Sequence, residues 1–160
     1  MKNEIIYTQI LIETLKKKKT ALEHIKEITG RQTGLLAEEK LDVAAFDTLI
    51  EEKNVYIETI QELDEGFQMT FDRVREELNA NQATFRQEIE QMQDLIKAVM
   101  SLSMEIETAE QRNKLAFEQS VSRARNSIRD RRVSSQSVTK YYQNAMGSTG
   151  AGSIYLDKKK

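Results

Sequence analysis

Two clusters of ionisable residues in this chain are dense enough to suggest chemistry. Glu51, Glu52, Glu58, Glu62, Asp64 and Glu65 form an acidic group that invites comparison with carboxylate-bridged di-iron bundles. Those centres need a Glu-x-x-His pair on each of two helices, and the chain has 1 His, His24. His24 lies between Leu22 and Ile25 and reads as a flanking residue, and the acidic group reads as a solvated face. The second cluster is Arg123, Arg125, Arg129, Arg131 and Arg132. Guanidinium groups pair well with phosphate, but cations also gather at helix C-termini, where the macrodipole favours them. No aromatic residue is interleaved through 118–140 to stack on bases. No Gly-rich phosphate loop, nucleophile elbow or zinc-ligand spacing is present. With 0 Cys, disulfides and thiolate metal sites are excluded. The expectation is a protein that is not an enzyme, with no catalytic residue, metal, cofactor or small-molecule substrate.

The elements that carry these residues are helices. The 160 residues suit one domain, with 39% hydrophobic and 31% charged residues, 0 Pro and 6 Gly. Without Pro no helix is forced to kink or end. A stripe of Leu11, Leu15, Leu22, Ile25, Ile28, Leu35 and Leu36 predicts a first helix over about 4–38. Gly30 and Gly34 weaken it and leave open whether it breaks there. Lys16–Lys19 fill a whole turn, so they cannot all be core. Their stems are expected to cover apolar neighbours while the ammonium groups stay in water, so Lys18→Ala should cost little. Asp42 is placed to cap a second helix over about 42–79. Its stripe is Phe46, Leu49, Lys53, Tyr56, Ile60, Leu63, Phe67, Phe71, Val74 and Leu78. A turn at Asn79–Asn81 leads to a third helix over about 84–132, capped by Asn81 or Thr84. The fold expected is all-α: an antiparallel three-helix bundle, coiled-coil-like, with Leu15, Leu22, Phe46, Tyr56, Ile60, Phe67, Ile89, Ile96 and Val99 in its core. Residues 1–132 form the bundle. Residues 133–160 form a Ser/Gly-rich C-terminal tail that is flexible or docks on a partner.

Charge divides the chain into an acidic body and a basic C-terminal quarter. Residues 1–120 hold 15 Lys and Arg against 24 Asp and Glu, net −9, whereas 121–160 hold 9 against 2, net +7. Such asymmetry marks an interaction tail. The N-terminus lacks the apolar run of a signal peptide, and no stretch approaches the ~20 apolar residues of a membrane span. A cytoplasmic protein is expected.

The third helix carries the strongest functional hint. Its ladder runs Phe85, Ile89, Met92, Ile96, Val99, Ser103, Ile106, Glu110, Asn113 and Phe117. The first half is an ordinary core stripe. The second half turns polar at Ser103, Glu110 and Asn113, which reads as a face turned to a partner. At ~72 Å this helix would overshoot its neighbours by about 18 Å. Met100 and Met104, adaptable side chains, flank the polar transition, while Met69 and Met92 are weaker candidates. The partner-binding residues expected are Met100, Met104, Ile106, Asn113, Leu115, Phe117, Val121 and Ile128, with Tyr142, Ile154 and Leu156 as apolar hooks in the tail.

Three segments resemble the FlgN-type flagellar export chaperones. Leu41-Asp42 followed by Leu49, Glu51, Lys53, Ile57 and Ile60 resembles the opening of that family's second helix. Glu110-Gln111-Arg112-Asn113-Lys114-Leu115 is similar to its Asn-rich N-x-x-N-x-x-L stretch, although only Asn113 matches and Leu115 follows after two residues, not three. Tyr142, Gly147, Gly150 and Ile154-Tyr155-Leu156-Asp157-Lys158-Lys159 resemble its Tyr/Asn, Gly-rich and then apolar-Asp-basic ending. The resemblance spans the chain. It implies a helical cytosolic protein that binds C-terminal helical segments of hook-associated proteins through its own C-terminal part. Such a protein keeps them unassembled and delivers them to the flagellar export apparatus. A homodimer is allowed, and no nucleic acid is expected.

Two other readings compete. A structural coiled-coil or spectrin-like interaction protein would show a bundle that closes fully and extends end to end. A nucleic-acid or anionic-membrane binder would use the Arg cluster at 123–132 and show salt-dependent binding.

Overall fold

A computed structural model of the chain describes residues 2–127. It contains three long helices, α1 (Lys2–Leu36), α2 (Val43–Ala80) and α3 (Arg86–Ser127), and no strand among the described residues. They measure roughly 52, 57 and 63 Å at 1.5 Å per residue. The expected tail, and the end of the third helix beyond Ser127, lie outside the described residues.

Local chemistry sets the boundaries. Asp42, with φ −80° and ψ 93°, accepts a hydrogen bond from the Ala45 amide at 3.1 Å, so the expected cap of α2 is in place. At the other end the Asn81 amide and its Nδ2 both donate to the Glu77 carbonyl, at 3.0 and 2.9 Å. This satisfies a carbonyl that the helix end would orphan. The turn falls at 81–85, two residues later than the sequence suggests, and α3 starts at Arg86 because Phe85 turns inward and is buried. α1 does not break at Gly30 or Gly34 and runs through both. Packing of its apolar stripe outweighs the ~1 kcal/mol that each glycine costs. Thr29 is buried in that stretch, and its hydroxyl donates to the Ile25 carbonyl at 2.7 Å, so it brings no unsatisfied group into the core.

α1 is the central helix, packed along both α2 and α3. Residues of all three helices build three apolar clusters stacked along the bundle. The lowest joins Leu11, Ile12, Leu15, Val74, Leu78, Phe85 and Met92. The middle one joins Ala21, Leu22, Ile25, Ile60, Val99 and Ile106. The uppermost joins Leu36, Phe46, Ile50 and Phe117. Of the expected core, Leu15, Leu22, Phe46, Ile60 and Val99 are buried, while Tyr56, Phe67, Ile89 and Ile96 are half-buried against the clusters.

Charged groups separate the clusters, which the stripes did not announce. Lys18 follows Leu15 and precedes Ala21. It is buried, with Nζ 2.8 Å from an Asp64 carboxylate oxygen. The expectation that every ammonium of the Lys16–Lys19 run stays in water therefore fails at Lys18: a carboxylate on α2 faces it at the same height.

Candidate partner-binding face on the third helix

Beyond Val99, α3 has an inner face that buries polar residues and an outer face that exposes apolar ones. The inner face holds Ser103, Ile106, Glu110, Asn113 and Phe117, all buried. Ser103, Glu110 and Asn113 therefore do not form the solvent-side, partner-facing polarity that the sequence suggests. Glu110 and Asn113 point into the bundle because groups on α1 and α2 satisfy them there. Lys53 Nζ donates to Glu110 Oε1 at 2.9 Å, and also to Gln32 Oε1. Asn113 Nδ2 donates to the Thr29 carbonyl at 3.1 Å, and Asn113 Oδ1 accepts from the Thr33 hydroxyl at 2.7 Å. Each helix contributes to this layer, which lies between the middle and uppermost apolar clusters. Lys53 is 0% exposed, and burial holds its ammonium pKa below the usual lysine range, partly offset by the Glu110 carboxylate.

The outer face carries exposed apolar residues. Met100, Met104 and Leu115 are 47%, 60% and 62% exposed. Met104 lies about one turn beyond Met100 and Leu115 about three turns beyond Met104, so they fall in one stripe along the solvent side. Exposed Thr108 and Gln111 lie between them. Of the other expected partner-binding residues, Ile106, Asn113 and Phe117 are buried in the bundle and Val121 is half-buried against the uppermost cluster. Ile128, Tyr142, Ile154 and Leu156 lie outside the described residues.

α1 and α3 run parallel, with Lys26 paired to Glu105 at 3.1 Å and Leu36 in one cluster with Phe117. The described end of α3 from Val121 therefore passes the last residue of α1. At the opposite end α1 starts ahead of α3 and exposes Ile5, Ile6 and Ile10 by 48%, 53% and 43%. The sequence reading missed these three because they fall off the heptad stripe. Their only signal was three isoleucines in the first ten residues. The buried layer was also missed, although Lys53, Glu110 and Asn113 each stand on a core stripe. Opposite charges on two stripes at one height were the available clue.

His24 stacks on Tyr56 with ring centroids 4.8 Å apart. Among the described residues no group of His, Asp and Glu could hold a metal ion. An open cleft of 530 Å³ lies between the end of α1 and the start of α2, with Leu35 and Leu49 among its lining residues and the Arg31–Glu52 ion pair on its walls. No described helix is long and apolar enough to cross a membrane.

The FlgN protein family matches residues 1–148, nearly the whole chain. The chain belongs to the FlgN family. A role as a flagellar export chaperone follows at that general level, and the family is one of chaperones, not enzymes. Flagellar proteins are accordingly the general class of partner for this FlgN chain. No curated protein and no solved structure matches it.

Proposed function

We propose that this FlgN-family chain binds C-terminal helical segments of hook-associated proteins in the cytoplasm, keeps them unassembled, and hands them to the flagellar export apparatus. The observation that carries this reading is the outer stripe of Met100, Met104 and Leu115 on a helix whose inner face is already fully occupied. Helical segments destined to pair in an assembled filament expose apolar stripes while unpaired, and such stripes aggregate. An exposed, thioether-rich helix face offers a temporary partner that adapts to more than one sequence. Because the contact is limited to a few anchors among polar residues, affinity stays moderate and release remains accessible.

Calorimetric titration of the full chain against the C-terminal helix of a hook-associated protein tests this. Met104→Asp and Leu115→Asp should each weaken binding by about tenfold or more, since interface energy concentrates in a few apolar anchors. Arg125→Glu should change it less, through rate and salt dependence. Phe117→Asp is not informative, because Phe117 is a core residue and its loss would act through folding. Loss of binding on charge reversal, with the apolar substitutions silent, would replace this reading with an electrostatic partner.

A further inference from the structure

Long helices with heptad-repeated apolar residues share a weakness. A helix displaced by one repeat, about 10.5 Å, presents nearly the same apolar stripe to its neighbours. α3 is such a helix: Phe85, Met92, Val99 and Ile106 recur at one spacing, and all are buried. What breaks the repeat is the buried layer of Gln32 on α1, Lys53 on α2, and Glu110 and Asn113 on α3.

We infer that this four-residue polar layer is a register lock, which admits one alignment of α3 against α1 and α2 and rejects the alignments one heptad away. Displacing α3 in one direction would set Ser103 opposite Lys53 and drive Glu110 into the cluster of Leu36, Phe46 and Phe117. Displacing it in the other would set Phe117 against the Lys53 ammonium. Either way a buried cation loses its carboxylate, which suppresses the slipped state by about a hundredfold or more. The layer is not optimised for stability. Gln32 Nε2 is buried without a hydrogen-bond partner among the described residues, and well-packed apolar side chains commonly match or exceed a buried ion pair in stability. A cost kept in the core fits a role in specifying alignment, as a polar residue at a core position does in coiled coils. The lock also protects the outer face. A one-heptad slip would shift Met100, Met104 and Leu115 along the bundle by two turns, away from whatever neighbouring surface completes their contact.

The absence of Cys makes a direct test available. Lys26 Nζ and a Glu105 carboxylate oxygen meet at 3.1 Å across α1 and α3, a separation of side-chain tips and not of Cβ atoms, so the pair K26C/E105C, bridged by a short bis-thiosulfonate crosslinker, reports the observed register. K26C/A98C and K26C/R112C report the two slipped registers, being displaced by seven residues in each direction. With the layer intact, the crosslinker on dilute protein should close K26C/E105C and leave both slipped pairs open. In the background Q32L/K53L/E110L/N113L the slipped pairs should close at least about tenfold more, with helicity retained. In the charge-swapped background K53E/E110K the layer is rebuilt with its charges exchanged, so only K26C/E105C should close. Should the fourfold variant lose its helical signal, Lys53→Met with Glu110→Leu carries the test with the same criteria. Slipped pairs that stay open in the apolar background, or that already close with the layer intact, overturn the lock. So does a charge-swapped chain that slips.

Discussion

The two faces of α3 beyond Val99 each break the usual assignment of polar and apolar residues at three positions. Ser103, Glu110 and Asn113 are inside, and Met100, Met104 and Leu115 are outside. In the half of α3 before Val99, and at Phe85 just ahead of it, the ordinary rule holds, with Phe85 and Met92 buried and Arg86, Gln87 and Gln93 exposed. The difference lies in what faces each half. Below, α1 and α2 offer Leu11, Leu15, Val74 and Leu78. Above, they offer Lys53, Gln32 and the Thr29 carbonyl. A polar residue on a helical stripe reports the polarity of its neighbour, not its exposure to water.

The sharpest way to break this comparison is Glu110→Ala. If the inner polar face is core, the variant strands the Lys53 ammonium and costs about 3–5 kcal/mol in urea unfolding. A loss under ~0.5 kcal/mol, the size usual for surface sites, would return Glu110 to the surface. Ile106→Ala, beside it on the same inner face, should cost about 2–5 kcal/mol, as for buried large-to-small changes. Lys18→Ala should cost about 1–2 kcal/mol, because its partner Asp64 keeps a side-chain exposure of 21% and is partly rehydrated when the pair is lost. Gly30→Ala should raise stability by about 0.5–1 kcal/mol, since α1 is helical there and an added methyl meets nothing within 4 Å. The smallest effect belongs to the outer face: Met104→Asp should move the thermal midpoint by no more than an ordinary surface change, within ~0.5 kcal/mol, even as it weakens partner binding.

Most of the fold was readable because apolar spacing along α1 and α2, the absence of Pro and the Asp42 cap all point one way. Helix ends shifted by a few residues where side-chain burial decided the boundary, as Phe85 did for α3. The family was readable from three short segments, and the match over residues 1–148 bears it out. The candidate face was readable only in part. Met100, Met104 and Leu115 emerge on the solvent side as expected, but Ile106, Asn113 and Phe117 do not. A single stripe gives the angle of a residue around its own helix. Whether that angle faces water depends on pairings between helices some 20 to 80 residues apart, such as Lys53 with Gln32 and Thr33 with Asn113. Lys18 was misjudged for the same reason, its partner lying on another helix.

The central position of α1 has a consequence for biosynthesis. α1 and α2 leave the ribosome as a hairpin whose open side is the seat of α3. Lys53 and Gln32 lie in that seat towards the turn that joins α1 and α2, so the nascent hairpin presents hydrated groups between its apolar rows for the seconds that the 42 residues of α3 take to appear. α3 should therefore dock late and as a unit, once Glu110 and Asn113 clear the exit tunnel. A translation-arrest force profile would then show one pulling event, timed to the emergence of those two residues and not to that of Met92 or Val99.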